Sequence, residues 1–128
     1  MYSKYIYLNK SKIKGAGIGL FADADIPKHT RIGIYNGKKI NSDTFTNLRD
    51  KTYVWQINDN LFVDGNPKNY TDNHKILLSF ANGAKTRHQR KKINTFAYIY
   101  RKDIYYKTLT DVKKGEEIIV DYGKYYWI

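Results

Sequence analysis

A tyrosine that closes a short strand near the C-terminus is the side chain best placed to contact a ligand. Tyr122 follows the apolar residues 118–120 (IIV) and precedes Gly123, so a rigid strand gives way there to a tight turn. Its hydroxyl can donate or accept a hydrogen bond, while its ring excludes water. The chain holds 13 tyrosines, most of which are expected in the core or on the surface, so this residue needs supporting segments.

Three further segments can join Tyr122 at a site. Residues 15–19 (GAGIG) form a glycine-rich turn whose backbone can approach a ligand closely, although their spacing fits neither a dinucleotide-binding loop nor a Walker loop. Residues 34–37 (IYNG) and 80–83 (FANG) each end in a turn dipeptide. Each segment also has an ordinary structural explanation, since YNG is a common hairpin end and NG a common helix cap.

The residues needed for thiol, metal or paired-carboxylate chemistry are absent or wrongly spaced in this sequence. The chain has no cysteine, and so neither a thiol nucleophile, a thiolate metal site nor a disulfide framework. Its three histidines, His29, His74 and His88, show no ligand spacing, which predicts that the protein holds no metal. Glu116 and Glu117 are adjacent, so on a strand they point to opposite faces and cannot work as an acid–base pair.

The elements that position these residues are mostly strands. The predicted strands cover residues 5–8, 20–22, 31–35, 53–57, 61–63, 95–100, 104–109 and 118–120. Two hairpins are expected, one turning at Asp59-Asn60 and one at residues 101–103. Apolar spacing predicts two helices, at residues 42–49 with Ser42 or Asp43 as the cap, and at residues 73–81. No repeat or linker interrupts the chain, so residues 1–128 are expected to form one domain.

Composition and charge narrow the class of protein. With 41% hydrophobic residues, no apolar run near ~20 residues and no signal-peptide core, we expect a soluble intracellular protein. Lys and Arg number 23 against 12 Asp and Glu, which favours acidic partners such as nucleic acid or chromatin. The densest basic patch, residues 85–92, is either a solvated lysine-rich loop or a binding loop. Its candidate contact residues are Lys85, Arg87, Arg90, Lys91 and Lys92.

Four segments in one order resemble the SET domain of protein lysine methyltransferases. They are residues 15–22, 34–37, 80–83 with Asn94 beyond, and 115–123, so the resemblance covers almost the whole chain. The stretch from 78 to 125 looks especially like the PR-domain branch of this family, and the compact cysteine-free form looks like the small viral SET proteins. The implied fold is mainly β, with small sheets and short helices around a C-terminal pseudoknot. In the family, the asparagine that Asn94 matches helps to hold the segment that is threaded through this pseudoknot.

The resemblance implies S-adenosylmethionine as the cofactor. In the family, the backbone around the glycine-rich turn holds this molecule, which here points to Ala16, Gly17 and Ile18. Asn82 matches the asparagine of an Asn–His pair that contacts the cofactor. Gly83 stands where the histidine usually is, so a ring is lost while the backbone groups remain.

The resemblance also implies the walls of a lysine channel. Tyr122 matches the catalytic-site phenol of the family, and Tyr35 falls in the lysine channel. Trp127, with Tyr125 and Tyr126, falls where a C-terminal aromatic packs on the adenine or closes the channel. Either this tail closes the channel or a second subunit does, in which case the protein is a homodimer.

The implied function is transfer of a methyl group to a lysine of a histone or another basic protein tail, in a nuclear or virus-associated setting. This displacement requires that the two reactants are aligned and that the amine is neutral. It requires neither a metal nor a histidine base. The alternative is a non-catalytic SET- or PR-like module that binds chromatin or nucleic acid through the basic loop, because Gly83 replaces a histidine. A third reading is a plain basic nucleic-acid-binding β-domain.

Overall fold

Short strands dominate the chain in a computed structural model that describes residues 5–71, 73–84 and 86–122. The strands are β1 (Ile6–Lys10), β2 (Ile18–Ala22), β3 (Arg31–Ile34), β4 (Lys38–Ile40), β5 (Val54–Asn58), β6 (Leu61–Asp64), β7 (Asn82–Gly83), β8 (Thr95–Tyr100), β9 (Asp103–Thr108) and β10 (Ile119–Asp121). The helices are α1 (Ser42–Asn47), α2 (Arg87–Arg90) and two 3-10 segments, Pro67–Asn69 and Asn73–Phe80.

The strands form three small sheets. β1 pairs with β2, β4 and β5 flank β6, and the largest sheet has the order β3-β9-β8-β10-β7. Strand β10 is parallel to both of its neighbours, β7 and β8, so the C-terminal strand is inserted between two earlier ones. Asn94 holds this insertion, because its amide donates to the Glu117 carbonyl at 2.9 Å and accepts from the Ile119 N–H at 3.0 Å.

Both predicted hairpins are confirmed. Strands β5 and β6 pair antiparallel around residues 59–60, and β8 pairs with β9 along its whole length, from Thr95 opposite Thr108 to Tyr100 opposite Asp103. The second hairpin turns through two left-handed residues, Arg101 (φ 50°) and Lys102 (φ 64°). Positive φ at both central positions matches the twist of the flanking strands.

Other predictions differ in detail. The first helix is capped by Asn41, whose side chain accepts the Thr44 N–H at 2.8 Å, so the choice of Ser42 or Asp43 was wrong. The predicted helix at 73–81 is a 3-10 segment that ends in a bond from the Ala81 N–H to the Leu78 carbonyl, and the next residue joins β7.

The short elements β4, β7 and α2 were not predicted, because two to four residues carry too little periodicity. In the basic patch, α2 forms one helical turn capped by Thr86 and Gln89, where a loop was expected.

One apolar cluster joins the sheets. Its buried members come from β1, β2, β3, β6, the second 3-10 segment, β9 and β10 and include Ile6, Leu20, Ile32, Val63, Leu78, Ile104 and Val120. Tyr35 and Tyr106 belong to the same cluster, so aromatic side chains continue the core towards the site described next. Among the described helices, none has both the length and the apolar character needed to cross a membrane.

Candidate active site

A cavity of about 520 Å³ lies where the separated segments meet. Its lining includes six residues singled out in the sequence: Ala16, Ile18, Tyr35, Asn82, Gly83 and Tyr122. Gly17 is exposed and does not line the cavity. Its φ of 73° shapes the turn, and its carbonyl accepts the Ser11 N–H at 2.7 Å. Trp127 lies outside the described residues, and the roles predicted for all of these positions stay predictions.

Tyr122 is fixed at the end of β10 by two contacts. Its hydroxyl donates to the Ala81 carbonyl at 2.6 Å, and its ring packs against Trp55 with the centroids 5.3 Å apart. The hydrogen bond ties the end of the last strand to the residue before β7, and the ring forms one side of the cavity.

Tyr35 forms a second, more deeply buried wall. Its hydroxyl donates to the Tyr53 carbonyl at 2.7 Å, and its ring lies 5.7 Å from that of Tyr106. Gly65 permits this position, because a Cβ there would lie 2.7 Å from the Tyr35 ring. The wall therefore depends on a glycine that sequence reasoning did not single out.

Trp55 and Tyr106 were missed by sequence reasoning. Trp55 lines the cavity, and its Nε1–H donates to the hydroxyl of Tyr106 at 3.0 Å. Tyr106 does not line the cavity and is fully buried behind its wall. Burial raises the pKa of the Tyr106 hydroxyl well above its ordinary value, and the nearby phenols of Tyr122 and Tyr35 raise it further, so this group stays protonated.

A buried carboxylate supports the wall that Asn82 and the glycine-rich turn form. Glu117 is 8% exposed, and its Oε2 accepts bonds from the Ser11 hydroxyl at 2.7 Å and the Asn82 amide at 3.1 Å. Its Oε1 accepts the Lys12 N–H at 3.0 Å. Gly19 leaves room for this carboxylate, since a Cβ there would lie 2.5 Å from Glu117 Oε2. Glu117 thus joins the glycine-rich turn, the segment before α2 and the C-terminal strand.

The glycine-rich turn presents mainly acceptors. The N–H of Ala16 already donates to the Ile13 carbonyl at 3.1 Å, and the Ile18 carbonyl accepts the Asn82 amide at 3.3 Å. A carbonyl oxygen has two lone pairs, so the Ile18 oxygen retains capacity for a second donor. The Ala16 N–H is thus already paired within the turn.

A buried hydroxyl in the cavity wall lacks a partner. Ser79 is 6% exposed, lines the cavity, and its Oγ has no hydrogen-bond partner among the described residues. Such a group costs free energy unless a ligand or water satisfies it.

A second cavity of about 630 Å³ gathers basic side chains from two distant segments. Lys12 and Lys14 line it together with His88, Lys91 and Lys92 from the basic patch. Glu116 and Glu117 also line it, and both carboxylates accept backbone N–H bonds. Arg87 and Arg90 are exposed but do not line this cavity, and Lys85 lies outside the described residues. Within the described ranges, no three His, Asp or Glu side chains are grouped to hold a metal ion.

The fold defines the class of protein, since the same fold is found in a methyltransferase domain of the SET and PR type. The family model described as the PR domain of PR domain zinc finger protein 2 matches residues 6–127. The chain therefore belongs to the PR-domain family. The resemblance to SET and PR domains inferred from the sequence is confirmed.

Two curated relatives illustrate the similarity. PR domain zinc finger protein 14 of Mus musculus is 27% identical over 110 residues, which are 84% of this chain and 18% of that protein. Histone-lysine N-methyltransferase SETD7 of Halocynthia roretzi is 30% identical over 135 residues, 94% of this chain and 32% of that protein. The chain thus spans less than a third of the length of either relative. Both are animal proteins, and the viral setting stays a prediction.

Solved structures give the same fold. The methyltransferase domain of human PR domain-containing protein 2 superposes with a TM-score of 0.69 at 27% identity, covering 93% of this chain and 77% of that one. A ctPRC2 structure bound to S-adenosylmethionine gives a TM-score of 0.70 at 22% identity, covering 92% of this chain and 15% of that one. The predicted mainly β, SET-type fold is confirmed.

Proposed function

We propose that this protein is an S-adenosylmethionine-dependent lysine N-methyltransferase that acts on a basic protein tail such as that of a histone. The observation that carries the proposal is the single cavity lined by Ala16 and Ile18, Asn82, Tyr35 and Tyr122. A backbone turn, an amide and two phenols meet there from four separate segments. The names of the relatives, a histone-lysine N-methyltransferase among them, support the same reaction.

The residues present fit a cofactor of this kind. The cavity volume of about 520 Å³ lies within the ordinary range for a site that encloses a small molecule. Carbonyl oxygens of the turn at residues 16–18 suit the ammonium group of a methionine end, and the unpartnered Ser79 hydroxyl suits a further polar contact. Asn82 and Gly83 line the cavity beside this turn.

The aromatic residues would prepare the amine. When bound, the cofactor supplies an electrophilic methyl group attached to a sulfonium. Tyr35, Trp55 and Tyr122 surround the remaining space with rings, which exclude water and favour the neutral form of an entering lysine amine. Two phenols with fixed hydroxyls keep the walls rigid, and alignment of the two reactants is the main requirement of an in-line displacement.

Closure of the cavity, the cellular setting and the extent of the domain belong to the same proposal. The aromatic tail with Trp127 lies outside the described residues, so closure by this tail or by a second subunit of a homodimer stays a prediction, as does a single domain over residues 1–128. Analytical ultracentrifugation with and without S-adenosylmethionine separates the two modes of closure. A nuclear, chromatin-associated setting follows from a histone substrate and is proposed with it.

Calorimetric titration with S-adenosylmethionine tests the cofactor site. The wild-type protein should release heat and saturate at one site, and Asn82→Ala should weaken binding at least about tenfold, because both a cavity contact and a bond to Glu117 are lost. Asn47→Ala, which removes an exposed amide bonded to the Asp43 carbonyl, is the matched control. No heat with the wild-type protein would remove the basis of the enzyme proposal.

The second cavity favours an alternative, a non-catalytic module that binds nucleic acid. Lys12 and Lys14 face the basic patch across about 630 Å³, and a cleft with positive walls concentrates phosphate groups. Binding to duplex DNA should then weaken steeply with salt. Substitution of Lys91 and Lys92 by Gln should reduce the salt slope more than the same change at Lys51 and Lys68, which do not line this cavity. Equal slopes would contradict this alternative.

A further inference from the structure

Four aromatic side chains form a continuous strip on the outer face of the β8–β9 hairpin. Tyr98 stands opposite Tyr105 on this face, while the alternate residues of β9 are buried on the other side of the sheet. Ring centroids lie 6.1 Å apart between Phe96 and Tyr98, and 5.8 Å apart between Tyr98 and Tyr105. Tyr100 continues the strip, with its centroid 6.3 Å from that of Tyr105. Tyr100 is 43% exposed and the other three rings are half-buried, so the strip is open to solvent.

Three cations lie over these rings. The Arg31 guanidinium is 4.1 Å from the ring centroid of Tyr105, and its Nε–H donates to the Tyr98 hydroxyl at 2.7 Å. Lys107 and Arg101 each lie 5.2 Å from the centroid of another ring of the strip. Contact with an aromatic face holds a cation in place without neutralising its charge.

The positive charge of this face is not compensated by carboxylates. Among the described residues, Arg31, Arg101 and Lys107 take part in no ion pair. The acidic side chain at the start of β9, Asp103, is already paired with Lys39 at 2.8 Å. The face therefore presents free cations between aromatic rings.

This combination matches the chemistry of a single-stranded nucleic acid. Unpaired bases stack on exposed aromatic rings whatever their sequence, and cations beside the rings bind the phosphates. A duplex offers its phosphates, but its bases are stacked within the helix and cannot cover the rings. An acidic peptide would likewise use the cations and leave the rings uncovered.

We propose that this aromatic face binds single-stranded nucleic acid, either DNA or RNA. The face consists of Phe96, Tyr98, Tyr100 and Tyr105 with the cations Arg31, Arg101 and Lys107. None of these residues lines either cavity, so the surface lies outside both sites described above. The net charge of +11 adds a general attraction for polyanions, and the rings add a preference for unpaired bases.

Fluorescence anisotropy with labelled oligo-dT and oligo-U of about 12 nucleotides measures the binding. Saturable binding of either oligonucleotide supports the proposal, and comparison of the two identifies DNA or RNA as the preferred ligand. Tyr100→Ala should weaken single-strand binding about tenfold and leave the affinity for a duplex of the same length within about twofold. Phe45→Ala is the matched control, because it removes a ring that Lys51 covers at 5.3 Å outside this face. The control should bind both nucleic acids like the wild-type protein.

A second variant tests the charges separately from the rings. Lys107→Gln should reduce the slope of log affinity against log salt by about 0.7 for single strands, because one phosphate contact is lost. Tyr100→Ala should keep the wild-type slope, since it removes no charge, and Lys51→Gln should keep it because Lys51 lies elsewhere. An unchanged slope in Lys107→Gln contradicts the assignment of this cation to a phosphate.

Several results would overturn the proposal. Wild-type protein that binds no single strand, or Tyr100→Ala that binds as tightly as wild-type protein, is sufficient. Polyglutamate that competes as effectively as the oligonucleotide would identify an acidic protein segment as the ligand instead. A dimer in analytical ultracentrifugation that Tyr100→Ala dissociates would make this face an interface between two copies of the chain.

Discussion

Replacement of Glu117 by glutamine tests how the candidate site is held together. The carboxylate accepts three hydrogen bonds, from the Ser11 hydroxyl, the Lys12 N–H and the Asn82 amide, and it is 8% exposed. In the best orientation, the amide oxygen of Gln stands in the place of Oε2 and keeps two of these bonds. Its NH₂ then faces the Lys12 N–H, so two donors meet.

The magnitude follows from the bonds lost and weakened. One bond to a charged acceptor disappears, at about 1.5–3 kcal/mol, and two bonds change from charged to neutral, at about 0.5–1 kcal/mol each. Part of this loss in stability is offset, on the order of 1 kcal/mol, because the neutral amide is less costly to bury than the carboxylate. We therefore expect Glu117→Gln to lower the free energy of unfolding by about 2 kcal/mol. For a chain of 128 residues this lowers Tm by about 7 °C.

Thermal unfolding at neutral pH measures the effect. Glu116→Gln is the matched control, because this neighbour is exposed and accepts a single N–H from Lys113. The control should change Tm by less than about 2 °C. Should the two variants melt within about 2 °C of each other, the view that Glu117 ties three segments together is refuted.

Three more predictions concern the cavity wall. In urea unfolding, Ser79→Ala should leave the free energy of unfolding unchanged or raise it by about 1 kcal/mol, because the hydroxyl has no partner among the described residues. A loss above about 1 kcal/mol would mean that a bound water satisfies this hydroxyl. Gly65→Ala should destabilise by about 2 kcal/mol in the same assay, since its Cβ would lie 2.7 Å from the Tyr35 ring, and a neutral result would contradict the packing. Burial raises the pKa of Tyr106 in the folded protein. Below about pH 10 the hydroxyl is protonated in both the folded and the unfolded protein, and above about pH 10 it ionises first in the unfolded chain. Stability should therefore fall above about pH 10, and Tyr106→Phe should lessen that slope by about 1.4 kcal/mol per pH unit. An unchanged slope in this variant would contradict the raised pKa.

Local signals in the sequence were enough for the hairpins and the last strand. Alternation of apolar residues between turn dipeptides predicts β5–β6 and β8–β9, and β-branched residues before Tyr122 predict β10 within one residue. The order of four short motifs was enough for the family. These features depend only on neighbouring residues or on their order along the chain.

Features that depend on packing between distant segments could not be predicted from the sequence. The strand at 104–109 predicts that either Tyr105 or Tyr106 faces inward, and only the sheet register selects Tyr106. The bond from Trp55 to Tyr106 joins two different sheets. Lys12 meets the basic patch across a cavity that Glu116, Glu117 and Ile119 also line. Alternation alone carries no information about such contacts.

Methyl transfer itself tests the central claim most directly. The measurement is the transfer of labelled methyl from S-adenosylmethionine to histone-tail peptides by the wild-type protein and by Tyr122→Phe. We predict transfer by the wild-type protein and a fall of at least about 100-fold in the variant, with cofactor affinity in calorimetry within about twofold. Absence of transfer by the wild-type protein to every basic-tail peptide, or full activity of Tyr122→Phe, would contradict the account.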